Sequence, residues 1–246
     1  MGEYWQDNIA EMHSGMLLLG WRADNRFTTE EEAMITPFVK KALSLHAQGT
    51  LTPDEIDTLS LEVYKVVSFQ LMNTEERAKL ISSAYSTSQH LSGLISLIDQ
   101  TTCCYYQGYC TCALATLFIV LESYLRALSG WAPGQPDPTF AQLRAATNRL
   151  PASPARDEAS GVLNVVYARY DAQHPPQFFF NRHGLLHGLR RDMANLDRMN
   201  CARIYLLLDL LCQAEGLNMG SYVFQGEDDP FLKRNRLFRE CLSHDD

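Results

Sequence analysis

An arginine and two histidines lie close together in the stretch Phe-Phe-Asn-Arg-His-Gly-Leu-Leu-His-Gly, which covers residues 179–188. Arg182 keeps its positive charge at any working pH, whereas His183 and His187 can gain or lose a proton near neutrality. A guanidinium can hold two phosphate oxygens in one plane, and a positioned histidine can act as a general acid or base. These residue types favour proton transfer beside a phosphate group.

The spacing of these residues predicts a helix that begins near Asn181 and meets a second copy of itself. Five steps of ~100° place Arg182 and His187 roughly 140° apart around the helix axis, so they do not share one narrow face. Gly184 and Gly188 are four residues apart, and each costs a helix interior about 1 kcal/mol, which indicates a packing reason. A two-fold contact through this shallow groove would bring two copies of the pair together. We therefore expect a homodimer.

The pattern Arg182-x4-His187, opening a late helix of a helical bundle, resembles the R-x4-6-H motif of the HEPN superfamily. The surrounding run is especially similar to members found in bacterial defence and toxin systems, and the leucine-rich segment Arg203–Cys212 also fits. The resemblance covers residues 100–215 approximately. It implies a dimeric, metal-independent endoribonuclease that attacks through the ribose 2′-hydroxyl and leaves a cyclic phosphate and a 5′-hydroxyl.

The resemblance also implies roles for single residues. His187 would be the acid and base, and Arg182 would hold the scissile phosphate. His183 stands where the family commonly has asparagine, so it is either a second proton-transfer group or a cause of lower activity. Glu122 is the candidate for the acidic residue that family members carry on the preceding core helix, although it is equally suited to an ion pair with Arg126.

The charge of the chain restricts how it would bind RNA. The formal net charge is −8, which argues against a general nucleic-acid binder. Residues 182–203 nevertheless hold five arginines against two aspartates. We expect Asn181, Arg190 and Arg191 to contact the RNA substrate. The aromatic run Phe178–Phe180 is open to two interpretations, base stacking or the lid of a hydrophobic core.

Metal binding and helix capping are the alternatives for this motif. His183 and His187 have the i, i+4 spacing of zinc ligands, but Gly184 stands where a zinc metalloprotease has its glutamate, and no third ligand is evident. The four cysteines between residues 103 and 112 lack the usual Cys-x2-4-Cys spacing. We therefore expect neither a metal nor a cofactor. A purely structural interpretation would make Arg182 and His187 caps of a helix start.

Seven cysteines without a disulfide-like spacing indicate a reduced, cytoplasmic protein. The N-terminal residues lack the layout of a signal peptide. The apolar runs Ala113–Leu121 and Ile204–Leu208 are too short to cross a bilayer, so no membrane association is expected.

Helix-start signals recur along the chain, and no strand alternation appears between them. They predict an all-α helical bundle with helices at 4–20, 30–48, 53–71, 74–98, 109–129, 139–149, 154–173, 182–195 and 198–215, and a rigid loop at Gly130–Pro138. The predicted divisions are an N-terminal helical region (1–100), the HEPN-like bundle (101–225) and a C-terminal tail (226–246). The tail is expected either to be mobile or to dock only through Phe231 and Leu237.

The leading hypothesis from sequence is a defence effector or toxin that cleaves RNA. An antitoxin or a nucleotidyltransferase is the expected protein partner. The alternative is a non-catalytic HEPN-like module that binds a nucleotide, RNA or a partner protein. Its support is the acidic net charge and the histidine at position 183.

Overall fold

The computed structural model describes residues 2–21, 28–167, 182, 194–219, 222, 226 and 228–243, with the backbone alone for 2–9, 194 and 195. These residues form α-helices joined by turns and contain no strand. The helices are α1 (Gly2–Leu18), α2 (Thr29–Ala47), α3 (Pro53–Leu71), α4 (Thr74–Leu80), α5 (Ile95–Tyr106), α6 (Cys110–Leu128), α7 (Phe140–Ala145), α8 (Pro154–Val166), α9 (Ala194–Ala214) and α10 (Pro230–Leu242). The prediction of an all-α fold is confirmed.

The chain divides into two compact units. The first comprises Met1–Gln70 and Ala168–Arg191, and the second comprises Leu71–Tyr167 and Asp192–Asp246. The boundaries of these units do not coincide with the predicted domain boundaries at residues 100 and 225. Residues 71–100 belong to the same unit as the helices that were expected to form the bundle.

In the first unit, α1 packs against α2 at a very short distance. A Cβ atom added to Gly15 would lie 2.4 Å from Cγ1 of Val39, so this crossing requires glycine. The chain after α1 is fixed to α3 by two hydrogen bonds. Nε1 of Trp21 donates to the carbonyl of Ser60 over 3.1 Å, and the Ser60 hydroxyl donates to the carbonyl of Leu19 over 2.7 Å. The buried indole therefore closes the small apolar core of this unit.

The start of α3 is a capping box, as the sequence predicts. The Glu55 backbone N–H donates to the Thr52 hydroxyl oxygen (3.3 Å), while the Thr52 backbone N–H and hydroxyl both donate to the Glu55 carboxylate at 2.9 and 2.8 Å. The backbone hydrogen bond from Thr52, followed by the one from its hydroxyl, lowers the pKa of Glu55. The box satisfies N–H groups that a helix start leaves without partners.

Replacing Thr52 by alanine should lower the free energy of unfolding by about 0.5–2 kcal/mol at neutral pH. Because folding lowers the pKa of Glu55, its ionised carboxylate stabilises the folded state at pH values above the ordinary pKa of a glutamate. This contribution is lost as the pH falls through the pKa that Glu55 has in the folded state. The difference between wild type and Thr52→Ala should therefore shrink in acid. Urea denaturation at neutral and acidic pH measures it. The matched control is Thr58→Ala, an exposed threonine inside the same helix, which should be neutral or slightly stabilising.

The second unit is built around α9, whose residues are buried on nearly every side from Met199 to Cys212. Helices α6 and α8 pack against α9, and α5 packs against α6. A helix that is apolar all round belongs in the centre of a core. Leu117 and Leu121 of α6 are buried in this core. The predicted loop between residues 130 and 138 is also free of helix.

A buried ion pair joins α4 to α9. Nη2 and Nη1 of Arg77 donate to the two carboxylate oxygens of Asp209 over 2.6 and 3.2 Å, and the Tyr85 hydroxyl donates to the same carboxylate over 2.7 Å. The guanidinium also lies 5.3 Å from the ring centroid of Tyr205. Burial alone would lower the pKa of Arg77, but the negative charge of Asp209 and its hydrogen bonds to the guanidinium act in the opposite direction, and the pKa is raised above its ordinary value. Arg77 is therefore held as a buried cation.

The prediction of one helix from 74 to 98 is wrong. Helix α4 continues as a π-helical turn over Ile81–Tyr85, and the chain then turns before α5. Ser86 donates its hydroxyl to the carbonyl of Ile81, and the Ser88 hydroxyl oxygen accepts the backbone N–H groups of His90 and Leu91. Hydroxyl side chains that bond to nearby backbone groups compete with the helical ladder. Helix α5, at 95–106, was not predicted.

The expected docking of the C-terminal segment also needs correction. Residues Pro230–Leu242 form α10, which packs against α4 and α5 through Phe238 and Cys241, whereas Leu237 remains 41% exposed. The Phe238 ring lies 5.6 Å from that of Tyr106. Nε of Arg234 donates to both carboxylate oxygens of Asp99 over 2.8 and 3.0 Å. This segment is therefore a docked helix of the second unit.

Helix α6 is longer than the apolar run Ala113–Leu121 that it contains. Within the described part of the chain, it is the one helix whose length and composition would allow it to cross a membrane. Half of that window is buried against other helices, and core helices of globular proteins pass the same test.

Candidate functional site

The structure describes one residue of the predicted motif, Arg182. It is helical and half-buried, and it interacts with a neighbouring residue. Asn181, His183, His187, Arg190 and Arg191 lie outside the described residues, as do residues 183–193 of the predicted helix 182–195 and the aromatic run at 178–180. The roles predicted for them remain predictions.

Glu122 lies on α6 and is half-buried. It belongs to the second unit, whereas Arg182 belongs to the first. Arg126, its predicted ion-pair partner, instead donates from Nη1 to Asp137 over 2.6 Å and stacks its guanidinium 5.2 Å from the ring centroid of Trp131. Arg126 is therefore engaged by the loop that follows α6. The role of Glu122 as the acidic residue of the core helix remains a prediction.

Two of the five arginines counted in the basic segment do not form an open basic surface. Arg203 is 2% exposed and donates to the side-chain oxygen of Asn200 over 3.0 Å. The guanidinium of Arg198 lies 5.5 Å from the ring centroid of Tyr105. Arg203 is therefore part of the interior of the second unit, and Arg198 packs on an aromatic ring.

All seven cysteines are free thiols. Cys110, Cys201 and Cys212 are buried, and burial raises the pKa of Cys201 and Cys212 well above the ordinary value. Cys112 is exposed. In the part of the chain that the structure describes, no three histidine, cysteine, aspartate or glutamate side chains come together as metal ligands.

A cavity that sequence reasoning missed lies at the C-terminal end of α6, in the second unit. It is an open cavity of about 570 Å³, bordered by the loop after α6, by α7 and by the segment that follows α7. The polar and aromatic residues that line it include Trp131, Gln135, Asp137, Gln142 and Arg149. The available signal was a tryptophan in a loop rich in proline and glycine, since such loops are rigid and aromatic side chains on them are often used for binding.

Comparisons with protein families, with characterised proteins and with solved structures found no match to this chain.

Proposed function

We propose that this protein is a metal-independent endoribonuclease of the HEPN type, acting as a defence effector or toxin. The observation that supports the proposal most is the pattern Arg182-x4-His187, with Arg182 in a helical conformation and half-buried in a protein whose described secondary-structure elements are helices. A half-buried guanidinium loses less of its electrostatic strength to water than an exposed one.

The proposed reaction uses the 2′-hydroxyl of the RNA as its nucleophile. The 2′-oxygen loses its proton to a base and forms a bond to phosphorus, while the bond from phosphorus to the 5′-oxygen breaks. The departing 5′-oxygen takes up a proton and leaves as a hydroxyl, and the phosphate remains as a 2′,3′-cyclic ester. His187 exchanges protons in these steps, and Arg182 stabilises the charge that develops on the phosphate oxygens.

The chemistry of the substrate provides the test of this proposal. Purified protein should cleave single-stranded RNA in the presence of EDTA and leave cyclic phosphate and 5′-hydroxyl ends. The same sequence carrying 2′-O-methyl groups should remain intact, because it lacks the nucleophile. Cleavage of the methylated RNA, or cleavage that requires a divalent metal, would contradict the proposed mechanism.

We further propose that the working form is a homodimer of two-fold symmetry, with the helix that holds Arg182 at or beside the interface. Light scattering at tens of micromolar should give the mass of two chains. Gly188→Leu should weaken association, because a large side chain blocks the close approach of a second helix, whereas the same change at exposed Gly161 on α8, where an added Cβ meets no atom within 4 Å, should not. A monomer with and without RNA would contradict the dimer.

The second candidate is a non-catalytic module that binds a nucleotide, RNA or a partner protein. The net charge of −8 and His183 in the place of the usual asparagine favour it. The two candidates predict different cellular effects. Induced expression should arrest growth for the enzyme, and His187→Ala should relieve the arrest, whereas a binding module would leave wild type and variant indistinguishable.

A further inference from the structure

The cavity at the end of α6 contains an aromatic ring that is already held in place. Nε1 of Trp131 donates to the carbonyl of Pro136 over 3.1 Å, and the guanidinium of Arg126 covers the ring at 5.2 Å from its centroid. Arg126 is itself fixed by Asp137 at 2.6 Å. Since the indole is oriented before any ligand arrives, stacking on it costs little additional ordering.

The amide side chains of the cavity offer hydrogen-bond donors. Oε1 of Gln135 accepts the backbone N–H of Ala132 over 3.1 Å, and Oε1 of Gln142 accepts the backbone N–H of Thr139 over 2.8 Å. A backbone N–H can only donate, so each amide must turn its oxygen towards it. The Nε2 groups of Gln135 and Gln142 then remain as donors, and they have no acceptor among the described residues.

The charge of the cavity is positive. The carboxylate of Asp137 is balanced by Arg126, so it contributes little net charge. Arg149 is exposed and donates from Nη1 to the carbonyl of Leu128 over 3.3 Å, and no carboxylate of the described residues pairs with it. The guanidinium of Arg149 and the Nε2 groups of Gln135 and Gln142 are therefore available to a ligand. Such a ligand must supply hydrogen-bond acceptors and negative charge.

We propose that this cavity binds a nucleotide unit, whose base stacks on Trp131 and whose phosphate is held by Arg149. The cavity volume of about 570 Å³ falls within the range of about 300–1,000 Å³ that is usual for small-molecule sites. An aromatic ring beside an anionic group is the chemistry of a nucleotide, which a free mononucleotide and one residue of an RNA chain share. The residues of this site differ from those of the proposed catalytic motif, and the proposal does not depend on ribonuclease activity.

Calorimetric titration of the full chain with adenosine 5′-monophosphate tests the site. One saturable site is expected, with adenosine and ribose 5-phosphate each binding at least about tenfold more weakly, since each lacks one half of the recognised chemistry. Arg149→Gln should weaken binding of the nucleotide about tenfold or more. Arg236→Gln, which changes an exposed arginine of α10, is the matched control and should leave binding unchanged.

Trp131 provides an independent variant pair. Trp131→Leu should weaken binding about tenfold or more, whereas Trp131→Phe should retain most of it, because phenylalanine still offers a stacking face. Circular dichroism of each variant establishes that the helices are intact. Equal binding by wild type and Arg149→Gln, or by wild type and Trp131→Leu, would overturn the assignment.

Titration with a 2′-O-methyl RNA oligonucleotide distinguishes the two sources of the ligand. RNA binding that Arg149→Gln weakens assigns the cavity to a nucleotide of an RNA chain, and binding of the mononucleotide alone assigns it to a free nucleotide. Absence of both would overturn the proposal. His187→Ala should leave the mononucleotide affinity unchanged, so a failure of the ribonuclease mechanism would not be mistaken for a failure of this site.

Discussion

Replacing Arg182 by alanine should lower the single-turnover rate of RNA cleavage by about 10²–10³-fold, the loss expected when one preorganised electrostatic donor is removed. Arg182→Lys should recover little of the rate, because a point charge cannot hold two phosphate oxygens in one plane. The cleavage rate of a labelled RNA in EDTA measures both variants. Full activity of Arg182→Ala would remove this residue from the mechanism.

Two further variants make this result specific. Arg236→Ala removes an exposed arginine of α10 and should leave the rate unchanged, which separates a local role from a loss of general positive charge. His183→Ala distinguishes the two roles left open for that histidine. A small effect would make it a spectator, and a loss equal to that of His187→Ala would indicate a paired acid and base.

Replacing Asp209 by alanine should lower the free energy of unfolding by about 3–5 kcal/mol, because it leaves the buried cation of Arg77 without its partner. Asp209 and Arg77 are 2% and 0% exposed, so water cannot take over the lost interaction. Guanidinium chloride denaturation gives the value. A loss below about 1 kcal/mol would show that the pair contributes little.

The matched control for this variant is Glu62→Ala, which breaks the exposed ion pair with Lys65 and should cost at most about 1 kcal/mol. The double variant Arg77→Met with Asp209→Leu should recover most of the stability lost in Asp209→Ala, since it removes both charges together. This recovery would locate the loss in the isolated charge and not in the change of volume.

The helix starts were predictable because their causes are local. Thr28, Thr52, Asn73 and Ser153 each lie directly before a helix and accept backbone N–H groups of its first turn, so three or four residues contain the whole signal. The break after Tyr85 was harder to predict. It depends on serine hydroxyls that form hydrogen bonds with the backbone. The Ser88 hydroxyl also donates to the carboxylate of Glu215, which is far away in the sequence.

Helix α10 shows a different limit of sequence analysis. Its many charged residues suggested a loose tail, but Arg234 pairs with Asp99 and Phe238 packs on Tyr106, and both partners precede it by more than a hundred residues. No local pattern contains that information. The buried pair of Arg77 and Asp209 was hidden for the same reason.

The two candidate sites also differ in how far the sequence alone predicts them. The chemistry of Arg182 and His187 can be read from residue types and spacing, because both belong to ten consecutive residues. The cavity beside Trp131 is formed by a loop, by α7 and by the segment after α7, so it can be recognised only when the fold brings Gln142 and Arg149 next to that loop.

The proposed mechanism depends on His187 as the group that transfers protons in RNA cleavage. Its direct test is to compare wild type and His187→Ala on single-stranded RNA in EDTA, with folded protein verified by circular dichroism. We expect cleavage to cyclic phosphate ends by the wild type and a rate at least about 10²-fold lower for the variant. Equal cleavage by both proteins, or an inert wild type on every RNA tried, would contradict it.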